Sequence, residues 1–189
     1  MDVQALSGGF ADTPREAALA FRAALTAMAR PGRIEDVAGA RPPAPLSVAA
    51  GTLLLVLADP TTPVHLAGSL DRPEIRDWLR FHTGAPLSDR AGAVFAVGRW
   101  ADLLPLDAYS LGTPDYPDRS ATLIVEMDAL DATGARLTGP GIETSHGLSL
   151  PEISAFRANR ARFPLGLDFF FTAGVRLAAL PRSTHVEAV

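Results

Sequence analysis

Arg136-Leu137-Thr138-Gly139-Pro140-Gly141-Ile142 is the segment of this sequence best composed for holding an anion. Its two glycines let backbone amides point into one concavity, and Arg136 and Thr138 stand beside it to donate to a phosphate oxygen. The same composition also builds an ordinary tight connection between two strands. A second turn, Gly112-Thr113-Pro114-Asp115-Tyr116-Pro117-Asp118-Arg119-Ser120, adds Arg119 and several hydroxyl groups to the anion-binding candidates, and it reads equally as a rigid surface turn. Asp168 poses a different problem, because it interrupts an apolar run beside Phe169, Phe170 and Phe171. A carboxylate there needs an arginine or several amide donors. Arg176 and Arg182 are the candidate partners in a buried ion pair, and a ligand or subunit contact is the other reading of the same residue.

Other chemistries are excluded or find no support. The sequence has no cysteine, which removes disulfides, thiolate metal sites, iron–sulfur clusters and thiol nucleophiles. All 17 basic residues are arginine, so no lysine exists to form a Schiff base or to serve a phosphate loop. His65, His82, His146 and His185 show no i, i+3 or i+4 pair and no HExxH or His-x-His pattern, so they read as structural or surface residues and no metal site is expected. Ser69 in Ala67-Gly68-Ser69-Leu70 lacks the second glycine of a nucleophile elbow. Gly139-Pro140-Gly141 lacks the third glycine of a dinucleotide fingerprint. No catalytic residue is nominated. With 21 acidic residues, net charge −4 and pI near 5.5, no general attraction to nucleic acid or anionic lipid is expected.

The elements that must position these residues follow from periodicity. Thr13-Pro14-Arg15-Glu16 has the form of a capping box, and Ala17, Phe21, Ala24, Leu25 and Met28 recur at helical spacing, predicting a helix over 14–29 with that stripe against the core. Arg30-Pro31-Gly32 stops it. A short extended piece is expected around Ile34 to Val37, followed by a proline-rich loop over 40–45. The apolar run Leu46 to Ala58 reads as a buried helix, although its Leu-Leu-Leu-Val centre also suits a strand; it is too short for the ~20 residues that cross a bilayer. Pro63 to Ala67 reads as a strand, and a helix from Asp71 places Ile75, Trp78 and Leu79 on one face. Further strands are expected at 93–97, 121–127, 167–171 and 175–180. A further helix, capped by Ser149-Leu150-Pro151-Glu152, turns Ile153 and Phe156 inward.

Strands interleaved with helices predict an α/β sandwich with a mixed sheet. One domain over 1–189 is expected, with 1–12 as a loosely ordered lead-in; a chain of this size buries about 70% of its unfolded surface. The start, Met1 to Phe10, has no basic, then apolar, secretory pattern, so a cytoplasmic location is expected.

Taken in order, Phe21-Arg22, Ala27-Met28-Ala29-Arg30-Pro31-Gly32, Leu57-Ala58-Asp59-Pro60-Thr61-Thr62-Pro63-Val64, Arg80-Phe81-His82-Thr83, Ala121-Thr122-Leu123-Ile124, Arg136 to Ile142, Phe163-Pro164-Leu165-Gly166-Leu167-Asp168 and Leu180 to Glu187 resemble the PhnH family, the H subunit of the bacterial carbon–phosphorus lyase system. Each piece is weak alone; their order over residues 12 to 189 is specific. The resemblance implies an accessory subunit, partnered by the G, I and J subunits. With the ATP-dependent L component, that complex replaces the adenine of ATP by a phosphonate to give ribose 1-phosphonate 5-triphosphate. It also implies a fold similar to pyridoxal-phosphate-dependent transferases without the cofactor, a homodimer when isolated, and no established catalytic residue. Radical cleavage of the carbon–phosphorus bond belongs to the J subunit, in keeping with the missing cysteine. The alternative is a stand-alone phosphonate- or nucleotide-binding protein that uses the arginine-flanked glycine turns.

Overall fold

The computed structural model describes residues 7–189. Two runs of small residues begin the fold. In α1 (Thr13–Ala29) the buried stripe is Ala20, Ala24 and Ala27, which packs on α2 (Val48–Leu57) near its Ala49 and Ala50. Ser47 caps α2, accepting from the Ala50 amide at 3.1 Å. The expected α1 stripe is thereby corrected. Phe21 and Leu25 are 45% and 55% exposed, because the short alanine face allows the close approach that the bulkier face would prevent. Its N-cap is also one residue earlier than the capping-box pattern suggests. Asp12 occupies the cap, and Glu16 accepts from the Ala11 and Asp12 amides at 2.7 and 3.1 Å.

The main sheet has the order β1 (Glu35–Asp36), β8 (Arg176–Leu180), β7 (Asp168–Ala173), β4 (Thr122–Glu126), β3 (Phe95–Arg99), β2 (Val64–Leu66). The four strands β2, β3, β4 and β7 run parallel, while β8 and β1 are antiparallel additions, which makes the sheet mixed as expected. Successive side chains on a strand face opposite ways. Along β4 and β7, Ile124 and Phe170 accordingly join the core under α1, α2 and α3 (Pro73–Thr83), and Leu123, Val125, Phe169 and Phe171 join the opposite core. Strands covered on both faces read as continuous apolar runs, which is why they stood out in the sequence.

The second core closes on Phe156 of α5 (Ile153–Arg160), whose ring lies 5.0 Å from those of Phe169 and Trp100, the latter opening the short helix α4 (Trp100–Leu103). It is completed by a three-stranded antiparallel sheet, β6 (His146–Leu148), β5 (Ala135–Thr138) and β9 (His185–Glu187), through Leu137, Leu148 and Val186. None of these three strands was expected, because each contributes one or two core residues, too few for an alternation to register. Ile153 and Phe156 do face inward. Glu152, however, is the N-cap of α5, and Ser149 is used elsewhere, accepting from the Asp131 amide at 2.9 Å.

Of the expected loose lead-in, residues 1–6 lie outside the described residues. Residues 7–12 are held in place: the Gly8 carbonyl accepts from the Arg41 amide at 2.8 Å, and Phe10 lies against Gly39. Among the described residues no helix is long and apolar enough to cross a membrane.

Candidate functional site

Open α/β sheets hold ligands at the carboxyl ends of their parallel strands. Here the edge strand β2 ends at Leu66, and the chain turns through Gly68 into α3. Two adjoining cavities of about 550 and 380 Å³ lie at that turn, both bordered by His65, Leu66, Asp71 and Asp89. Gly68 has a φ of +56°, and a Cβ there would overlap the Asp102 carboxylate, so glycine is required on both counts.

His65 Nδ1 lies 3.1 Å from the Ser88 carbonyl. A carbonyl can accept but not donate, so Nδ1 carries a proton in this contact. Asp71 accepts two bonds from Arg76, at 2.5 Å from Nε and 2.6 Å from Nη2. That bidentate pairing, helped by the charge of Arg76 and by His65, holds the Asp71 carboxyl below the usual carboxylate range. One turn further along α3, Arg80 borders the smaller cavity with no ion-pair partner among the described residues. Arg90 borders the larger cavity, and its Nη2 donates to the Asp102 carbonyl at 2.9 Å. Its guanidinium lies beside the Tyr109 hydroxyl, whose proton is held more tightly by burial.

The structure disperses the residues nominated from the sequence. Arg136 on β5 reaches Glu187 on β9 at 3.2 Å, an exposed pair. Thr138 is opposite His185 in the same sheet. Gly139 and Gly141, with φ of +127° and +82°, form the turn that leaves β5, closed by the Ile142 amide donating to the Gly139 carbonyl at 3.1 Å. A Cβ on Gly141 would overlap the carbonyl of Ala29, so this turn is seated on the end of α1. Arg119 belongs to another region, its guanidinium stacked 4.0 Å over the Tyr116 ring.

Asp168 pairs with Arg182. Oδ1 accepts from the Arg182 amide and Nε at 2.8 and 3.1 Å, and Oδ2 accepts from Nη2 at 2.5 Å. Arg182 also donates to the Pro117 carbonyl at 2.7 Å and to the Ser120 hydroxyl, binding the start of β7 to the 117–120 turn. Arg176 is not the partner. The β7–β8 hairpin sets it opposite Ala173, at the far end of β7 from Asp168, and it lies 3.6 Å from Asp131.

Glu126, at the end of β4, was not singled out in the sequence. Burial raises its carboxyl above the usual range, against bonds accepted from the Ser47 amide at 2.7 Å and the Thr172 hydroxyl at 3.0 Å. An acid after an apolar strand is ordinary in sequence; the parallel register that sets Glu126 beside Thr172 is what buries it. The remaining histidines are apart from one another: His82 Nε2 is 3.1 Å from the Ser7 carbonyl, His146 Nδ1 is 2.8 Å from the Pro31 carbonyl, and His185 Nε2 is 3.3 Å from Arg160. Among the described residues, no group of three or more acids and histidines is placed to hold a metal ion.

Fold and cleft together define an α/β sandwich protein with a ligand-sized polar opening at the carboxyl end of its edge parallel strand. The chain belongs to the PhnH family, described as bacterial phosphonate metabolism protein, which matches residues 8–187. It is 40% identical over 196 residues to the alpha-D-ribose 1-methylphosphonate 5-triphosphate synthase subunit PhnH of Rhizobium meliloti (strain 1021), covering 97% of this chain and 96% of that protein. It is also 32% identical over 200 residues to HtxG of Stutzerimonas stutzeri, named for an assignment to the C-P lyase subunits, covering 95% of each.

Proposed function

We propose that this chain is an accessory, non-catalytic subunit of the carbon–phosphorus lyase core complex, required for the ATP-dependent formation of ribose 1-phosphonate 5-triphosphate during phosphonate catabolism in the cytoplasm. The observation that carries this reading is the likeness, over nearly the whole chain, to a named subunit of the synthase for such a triphosphate. The side-chain inventory supports it, since a sequence without lysine or cysteine has no amine or thiol nucleophile to offer. The G, I and J subunits are the proposed partners. Alone, the chain is proposed to form a homodimer, for which the exposed Leu19, Phe21 and Leu25 of α1 offer an apolar face. The likeness to pyridoxal-phosphate-dependent transferases implied by the family belongs to the same proposal; without lysine, no internal aldimine can form.

Co-expression with the G, I and J subunits followed by size-exclusion chromatography tests this directly. The chain is expected to elute with the other three at a fixed stoichiometry. Elution of a G, I and J assembly that excludes the chain would refute the role.

A further inference from the structure

We infer that the groove between α5 and β9 is a docking surface for an extended acidic segment of a partner protein, with alternate carboxylates of that segment on Arg157 and Arg160. The inference deepens the accessory-subunit reading and rests on it only for placing that segment in the G, I and J subunits.

Charge is unevenly balanced on this face of the molecule. Arg157 and Arg160 line one groove of about 350 Å³ together with Ala161, His185, Val186 and Glu187. The acids that flank them in sequence or share the groove are already engaged: Asp168 by Arg182, Glu187 by Arg136 at 3.2 Å, and Glu152 by the Trp100 indole at 3.1 Å. The exposed Arg157 side chain has no hydrogen bond or ion pair among the described residues, and Arg160 has no carboxylate partner there. A chain of net charge −4 thus carries two uncompensated positive charges side by side in one groove. Arginine suits carboxylates, since its forked N–H groups match two oxygens at once, and it is enriched where proteins meet.

Geometry selects the occupant. Arg160 is held ready: its Nε donates to the Ser183 carbonyl at 3.1 Å, its Nη2 lies 3.3 Å from His185 Nε2, and its guanidinium sits 4.9 Å from the centre of the exposed Phe163 ring. A side chain already fixed loses little freedom on binding. Residues three apart on a helix carry their Cβ atoms about 5–6 Å apart. Alternate side chains on one face of an extended chain are about 6.6–6.8 Å apart, so carboxylates two residues apart meet the two arginines in turn. The groove runs along the carboxyl end of α5, whose partial negative charge opposes a bare multivalent anion. Singly charged carboxylates spread along a chain suit it better, and Ala161 and Val186 offer the apolar surface on which the intervening residues of such a segment rest.

Fluorescence anisotropy of the full chain with a labelled heptapeptide of alternating glutamate and valine, and with its glutamine counterpart, tests the inference. The glutamate peptide is expected to bind saturably, about tenfold or more tighter than the glutamine one as charge-assisted hydrogen bonds allow, and to weaken as salt rises. Arg157→Glu is expected to weaken it about tenfold with the urea midpoint unchanged, and Glu187→Gln, which removes the groove's own acid, to tighten it about two- to threefold. The Arg157→Glu chain is also expected to separate from the G, I and J subunits at lower salt than the unsubstituted chain. Equal affinity for the two peptides, insensitivity to Arg157→Glu, displacement of the peptide by equimolar inorganic phosphate, or an Arg157→Glu chain that stays with the subunits to the same salt would each overturn it. Failure of the unsubstituted chain to co-elute would instead count against the accessory-subunit reading, while the peptide titration still decides the groove, so the two failures are distinguishable.

Discussion

Arg182 and Arg80 are the same residue type in opposite circumstances. Arg182 has a side chain 12% exposed and donates to a carboxylate, a carbonyl and a hydroxyl from two separate segments, the start of β7 and the 117–120 turn. Arg80 lies in the open on α3 with its charge uncommitted. The first arginine fastens the molecule to itself, and the second is free to hold something else. An arginine whose donors are all consumed internally informs about stability, and one left idle beside a cavity informs about binding.

Removing the fastening should have the largest effect. Arg182→Ala leaves a half-buried Asp168 without its counter-charge and releases the 117–120 turn. A loss of about 2–3 kcal/mol is expected, below the usual range for a buried pair because Asp168 keeps some solvent and the Arg182 amide. Urea denaturation reads it, and a loss under ~0.5 kcal/mol would show that the knot is ornamental.

Next in size is Gly141→Ala, which places a Cβ against the Ala29 carbonyl at a positive φ. About 2 kcal/mol of destabilisation is expected. An unchanged thermal midpoint would reopen this turn as a flexible site instead of a seat for α1.

Glu126→Gln sharpens the comparison from the carboxylate side. The folded carboxyl lies above its unfolded value because of burial, so its contribution to stability is full at acid pH and is lost as pH rises through the raised folded value. The glutamine variant should therefore gain stability relative to the parent as pH increases from the ordinary carboxylate range towards neutrality. Denaturant midpoints measured across that range check the sign, and parallel curves for the two proteins would contradict it.

Smallest of all is the expected stability change for Arg80→Ala, within about 0.5 kcal/mol. Against the loss expected for Arg182→Ala, that near-silence is what separates the two arginines.

The same contrast explains what could be read from the sequence. Strands β4 and β7 were legible because parallel strands buried on both faces leave uninterrupted apolar runs, and α3 because Ile75, Trp78 and Leu79 recur at helical spacing. The face of α1 was misread, since hydrophobicity favours Phe21 and Leu25 whereas close helix packing selects alanine. The small sheet was missed because its core residues, Ala135 and Leu137 on β5, Leu148 on β6 and Val186 on β9, number only one or two per short strand. Within the cleft, His65 was noticed only as a metal candidate and Asp71 only as a helix start. Arg76 reaches Asp71 only five residues back, but the spacing alone does not show that the turn into α3 folds both beside His65, or that the loop carrying Ser88 and Asp89 closes on the same cleft. Asp168 was recognisable as a carboxylate in need of a partner, but choosing Arg182 over Arg176 required the register of the β7–β8 hairpin.

Release of adenine from ATP in the presence of methylphosphonate tests the central claim most directly, measured for this chain alone and for the assembled G, H, I and J complex with the L component. The account predicts no release by the isolated chain, release by the assembly, and loss of that release when this chain is omitted. Adenine release by the chain alone at a rate comparable to the assembly would contradict it.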